Sequence, residues 1–178
     1  MKKKLVVKLI IIGIIPLLFV FFISRILQTA DLKKKTAEVI SVLQPFTAYQ
    51  NGKPITFDKA NITKKYVVLA YVSTDCEHCD YMTEELKKHS KDFRNCTIVM
   101  LAMGTEQSLT QFIEKHNLTK VNDISILWDK EFKIRKQFAV TATPEFFIYN
   151  KAGQNVLHIN GETKIENLLK AVEPHETD

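Results

Sequence analysis

Between Tyr66 and His89 the chain runs from an uncharged stretch, YVVLAYV, through two cysteines set two residues apart, into an amphipathic segment. Few folds accommodate that succession. Seven consecutive β-prone residues without a charge or a breaker describe a strand buried on both faces, which needs a sheet with helices packed on either side. Ser73, Thr74 and Asp75 are helix-capping residue types, and Tyr81, Met82 and Leu86 supply an apolar stripe at helical spacing. Cys76 and Cys79 thus fall where a buried strand hands over to a helix.

The flanking segments extend the pattern. Asn51-Gly52 between FTAY and PITF is a tight-hairpin signal. Thr97 to Met103 reads as a second buried strand, and Thr105 to His116 as an amphipathic helix with Leu109, Phe112 and Ile113 on one face. A strand at Ile124 to Leu127 and a helix through Lys130 to Phe138 follow. Two strands then join at Lys151-Ala152-Gly153, and a helix over Glu162 to Val172 closes the chain. A parallel strand–helix–strand unit joined to an antiparallel hairpin makes a mixed α/β sheet with helices on both faces. The expected domain covers residues 45–173, with a short tail at 174–178, close to the common size for one core.

The amino-terminal part has a different character. Residues 1–8 are basic, and Leu9 to Ser24 carries no charge. Sixteen residues fall short of the roughly 20 that span a bilayer, but Lys8 and Arg25 can extend their stems to the interface. Residues 9–27 are therefore expected to form a transmembrane anchor, with lipid contacts over residues 5–27, and 28–44 a polar stalk. A cleaved signal peptide is the other template, but Gln28 two residues before Ala30 makes a poor cleavage site. Lysines at the start favour a cytoplasmic N-terminus and a single-pass protein with its domain outside, although Arg25, Lys33, Lys34 and Lys35 weaken the asymmetry. The net charge of +5 is concentrated around this segment, and no basic stripe interleaved with aromatics follows, which argues against nucleic acid as a partner.

Cys76-Glu77-His78-Cys79 carries the chemistry. At a helix start the first thiol meets free backbone N–H groups and the positive end of the dipole, which favour thiolate, the nucleophile of disulfide exchange. Cys76 is then the attacking residue, and Cys79, one turn in, resolves the mixed disulfide. A structural disulfide across one helical turn closes almost no loop. A metal site wants more ligands than this motif offers, although His78 between the thiols keeps copper open as an alternative. Haem attachment needs a histidine where Asp80 stands.

The strand, the Cys76–Cys79 motif and Thr143-Pro144-Glu145-Phe146-Phe147-Ile148-Tyr149 together resemble the thioredoxin superfamily. The hairpin and anchor resemble its membrane-anchored TlpA/ResA-like branch. The resemblance implies a thioredoxin-like fold and a thiol–disulfide oxidoreductase with no cofactor beyond a redox-active Cys76–Cys79 disulfide. It also implies protein substrates, a separate electron donor or acceptor protein, and Thr143-Pro144 as a cis-proline loop that pairs with substrate backbone. Glu77 and His78 are expected to tune the redox poise in opposite directions, leaving a pair nearer the reducing end, so a reductase is favoured over an oxidase.

Departures from the pattern are Asp75 in place of a tryptophan, Ala70 in place of a buried acid, and Met82 in place of a glutamate. Asp75, Asp80, Glu77 or a water is left to relay the proton of Cys79. A peroxidase is disfavoured, because the Pro-x-x-x-Thr-x-x-Cys pattern is missing. Cys96 reads as a buried, unreactive thiol, Trp128 and Phe146-Phe147 as core, and His89, His116 and His158 as surface or satisfied residues.

Overall fold

The computed structural model describes residues 17–25, 27–29 and 36–173. It divides into two compact units, one up to Glu38 and one from Val39 onward. In the first, residues 17–25 and 27–29 are helical. Much of the expected anchor, residues 9–16, lies outside the described residues, as do 30–35 of the stalk. Among the described residues no helix is long and apolar enough to cross a membrane.

The second unit is built on one seven-stranded sheet. Its strands are β1 (Phe46–Gln50), β2 (Lys53–Phe57), β3 (Tyr66–Ser73), β4 (Cys96–Met103), β5 (Ile124–Trp128), β6 (Glu145–Asn150) and β7 (Asn155–Asn160). In space they run β2-β1-β5-β4-β3-β6-β7. Strands β3, β4 and β5 are parallel, and the hairpins β1–β2 and β6–β7 extend the sheet antiparallel at its two sides. Asn51 and Gly52 take the left-handed conformation that a two-residue hairpin turn requires.

Helices α1 (Glu77–Lys88), α2 (Glu106–Lys115), α3 (Lys133–Gln137) and α4 (Ile165–Val172) cover the sheet. Alternation along β3 divides the core. Val68, Ala70 and Val72 face α1, α2 and α4 together with Met82, Leu86, Phe112 and Leu168. Val67, Leu69 and Tyr71 face the other layer with Phe46, Ile134, Phe138 and Phe147. Two consecutive parallel crossovers running in the same direction along the sheet put α1 and α2 on one face, as right-handed connections demand.

Several elements are shorter than the sequence implies. Helix α1 begins at Glu77 with Cys76 as its N-cap, not at Ser73, Thr74 or Asp75. Strand β3 holds its ladder through Ser73, paired with Met103, and Thr74 and Asp75 form the turn that leads to the cysteine. Tyr81 is exposed rather than part of the buried stripe. Helix α3 has only five residues, because Phe132 turns left-handed immediately before it. The domain also starts earlier than residue 45: Ile40 and Leu43 are core residues, tied down where Leu43 N–H donates to the Gly153 carbonyl at 2.7 Å.

Candidate active site

Strand β3 ends, and three residues later Cys76 opens α1. Its carbonyl accepts from the N–H groups of Cys79 and Asp80, both at 3.0 Å, which folds the first turn directly over the motif. The Cys76 side chain is half-buried and its thiol donates to the Thr143 carbonyl at 3.5 Å. Cys79 is fully buried against the sheet, and its sulfur accepts from Ser73 N–H at 3.4 Å. Both thiols are unpaired. Burial, reinforced by a hydrogen bond toward Cys76, pushes the Cys79 thiol up to about 12. One sulfur is half-buried at the helix N-terminus, and the other is fully buried in the first turn.

The Thr143–Pro144 peptide bond is cis and places the Thr143 carbonyl against Cys76. The structure thus brings together Cys76, Cys79, Thr143 and Pro144. Glu77 and His78 follow Cys76 in the first turn of α1. His78 Nδ1 lies 2.6 Å from Glu162, and the pair is largely exposed, so any charge on the imidazole has an immediate counter-charge. Glu77 is exposed in the first turn of α1.

Asp80, a candidate proton relay, is otherwise engaged. It accepts from Lys115 and from His116 Nε2, both at 2.7 Å, while His116 Nδ1 faces Glu84. His116 is buried, so α1 and α2 are joined by an imidazole held between two carboxylates.

Two buried acids escaped the sequence reading. Glu145, directly after Pro144, is fully buried. It accepts from Thr141 N–H at 3.1 Å and meets His158 Nε2 at 2.6 Å, which fixes the loop carrying Thr143. Asp129 is also buried; it accepts from the Tyr71 hydroxyl at 2.8 Å and from the N–H groups of Ile134 and Arg135. The available signal was an acid bordering an apolar run, as in PEFFIY and ILWD. Cys96 is buried, which raises its thiol to about 11 against a smaller opposing effect of Lys64.

Among the described residues no three His, Cys, Asp or Glu side chains converge as a metal site would require. A groove of about 480 Å³ between the β1–β2 hairpin, α2 and β5 includes neither cysteine nor Thr143.

Comparison with known proteins places this geometry. No curated protein sequence matches the chain. Among solved structures, it is similar to a secreted Mycobacterium tuberculosis disulfide oxidoreductase homologous to Escherichia coli DsbE. Identity there is 24%, over 76% of this chain and 96% of that one, with a TM-score of 0.59. StoA from Bacillus subtilis matches at 18% identity over 75% and 99% of the two chains, TM-score 0.57. The peroxidoxin BcpB of Mycobacterium tuberculosis matches at 15% over 76% and 96%, TM-score 0.64. These likenesses establish a thioredoxin-like fold. The AhpC/TSA family model matches residues 42–158, which span all seven strands but the end of β7, both cysteines and the cis-proline loop, and this chain therefore belongs to the AhpC/TSA family.

Proposed function

We propose that this thioredoxin-like thiol–disulfide oxidoreductase reduces disulfides of protein substrates outside the cytoplasm, using Cys76 as nucleophile and Cys79 as resolving thiol. The carrying observation is the asymmetry of the two sulfurs: Cys76 is half-exposed against the Thr143 carbonyl, and Cys79 is buried with its thiol raised to about 12. The Cys76 thiolate attacks a substrate disulfide, forming a Cys76–substrate bond and expelling one substrate thiolate. Cys79 then gives up its proton, which the departing thiolate takes up, and attacks the Cys76 sulfur. The substrate leaves as two thiols, the enzyme as a Cys76–Cys79 disulfide, and an electron donor protein restores the pair.

The extracytoplasmic, membrane-anchored placement draws on the apolar run over 9–24 and on the secreted Mycobacterium tuberculosis neighbour. Glu77 adds negative charge beside the motif and His78 is paired with Glu162, which supports a poise nearer the reducing end. The copper-handling alternative has no particular observation in its favour. Reduction of insulin by the protein, beside a copper titration of the reduced form, tests the assignment. Turnover without stoichiometric copper binding supports it, and copper binding without turnover overturns it.

A further inference from the structure

A second feature adjoins the cis-proline loop. Phe132, Arg135, Lys136, Ala139, Val140 and Thr141 line an open basin of about 450 Å³. Thr141 is two residues from Thr143, so the basin begins within about 7 Å of the carbonyl that meets Cys76.

Its construction is unusual. Phe132 and Ala139 both adopt left-handed backbone, with φ of 55° and 51°, a conformation that non-glycine residues avoid, bulky ones most of all. Phe132 is 41% exposed, so no core packing recovers that strain. The turn is held from below instead. Asp129, buried, takes the N–H groups of Ile134 at 3.1 Å and Arg135 at 2.9 Å, its carbonyl takes Phe132 N–H at 3.2 Å, and the Tyr71 hydroxyl anchors the carboxylate. Strain kept at an exposed aromatic in a basin that adjoins the cis-proline loop points to binding.

The charges indicate what binds. Of the basic side chains in this segment, Lys133 pairs with Glu131, and Lys130 lies over the rings of Tyr49 and Trp128. Arg135 and Lys136 form no salt bridge among the described residues. Their cations rim an apolar floor made by Phe132, Ala139 and Val140.

Resting on the exchange activity above, we infer that this basin is a substrate-specificity site: it takes an aromatic or large aliphatic residue of an extended protein segment, next to an acidic one, two to four positions from the cysteine under attack. The spacing follows from the run of Thr143 back to Ala139, at most about 13 Å when extended. The apolar side chain loses water against Phe132 and Val140, and the carboxylate meets Arg135 or Lys136.

Single-turnover reduction by the pre-reduced full chain tests this. Two symmetric peptide disulfides serve as probes, one carrying phenylalanine and glutamate two to four positions from its single cysteine on both sides, the other serine and lysine at the same positions. Each disulfide becomes two thiols as Cys76 and Cys79 become one disulfide. The first probe is expected to react about tenfold faster. In R135E/K136E that ratio should fall to near unity or invert, and in F132G, where glycine suits the left-handed backbone, it should fall severalfold. Equal rates for the two probes, or a ratio unchanged in both variants, overturn the specificity site while leaving disulfide exchange intact. Failure to reduce either probe, and oxidised glutathione as well, overturns the exchange activity itself and this inference with it.

Discussion

The thiol of Cys76 lies 3.5 Å from the carbonyl oxygen of Thr143, although 67 residues separate them in the chain. A substrate cysteine bonded to Cys76 would therefore lie beside the exposed backbone of the cis-proline loop, while Cys79 waits below. Cys76→Ser should abolish disulfide exchange without unfolding the domain, and Cys79→Ser should accumulate a long-lived mixed disulfide at Cys76. Mass analysis of the trapped species checks both. Stable adducts on Cys96 in place of Cys76 would contradict the assignment.

Limiting alkylation reports the same asymmetry. With its thiol raised to about 12 by burial, only about one Cys79 in ten thousand is ionised at pH 8, and Cys96, raised to about 11, is similarly inert. Peptide mapping should find Cys76 labelled first, with the other two modified only in denaturant.

The His116 bridge predicts an acid-sensitive domain. Partial burial pushes the Asp80 and Glu84 carboxyls up, but hydrogen bonds from His116, joined by Lys115 at Asp80 and Lys87 at Glu84, outweigh it and leave both lowered. A folded-state value below the unfolded one means that the stabilisation is complete above the ordinary carboxylate range and is lost as pH falls through the lowered values. Below about pH 4 the wild type should therefore lose stability. His116→Ala should cost about 2 kcal/mol at pH 7 and flatten that acid limb. Urea titrations at pH 3, 5 and 7 read both effects, and an unchanged acid limb in the variant would count against the bridge.

Asp129 should prove structural and local. Asp129→Ala strands the N–H groups of Ile134 and Arg135 and the Tyr71 hydroxyl in a buried place, at a cost of about 3 kcal/mol. Asp129→Asn keeps an acceptor oxygen and should cost less than half as much. Chemical denaturation of the two variants distinguishes them, and equal losses would contradict this hydrogen-bond assignment.

Gly104 links β4 to α2 and packs against Thr74, two residues before Cys76. At its φ of 152° an added Cβ would collide with Thr74 Oγ1 and come within 2.7 Å of Ser108 Oγ, two hydroxyls that hydrogen-bond to each other at 2.8 Å. Gly104→Ala should cost about 2 kcal/mol and lower the Tm by roughly 6–10 °C. A Tm within a degree or two of wild type would show that Thr74 and Ser108 move freely.

What the sequence disclosed, and what it hid, follows the range of the interactions. The Asn51-Gly52 turn, the charge-free β3 and β4, the cysteine pair and Thr143-Pro144 are set by local chemistry and are legible as such. Ile40 and Leu43 lie in the short stretch VISVL ahead of the first strand, and they become core where Val42 bridges to Gln154 and Leu43 bonds to Gly153. His116 carries no local mark of its role, since Asp80 and Glu84 lie 36 and 32 residues away. Asp129 shapes α3 from outside the helix, where capping rules do not look. Glu145 falls inside a buried strand, where alternation alone would place an apolar residue, and its partner His158 arrives only through the β6–β7 pairing. His78 pairs with Glu162, 84 residues on, a partner that no local pattern announces.

The most direct test is the redox equilibrium of the full chain in glutathione buffers of defined ratio, read as the fraction of Cys76–Cys79 disulfide after acid quenching and alkylation. A single two-electron transition is expected at the reducing end of the range, nearer thioredoxin at about −270 mV than DsbA at about −120 mV. A pair that stays reduced in buffers that oxidise glutathione, or that never forms the Cys76–Cys79 disulfide, would contradict a reductase working through these two thiols.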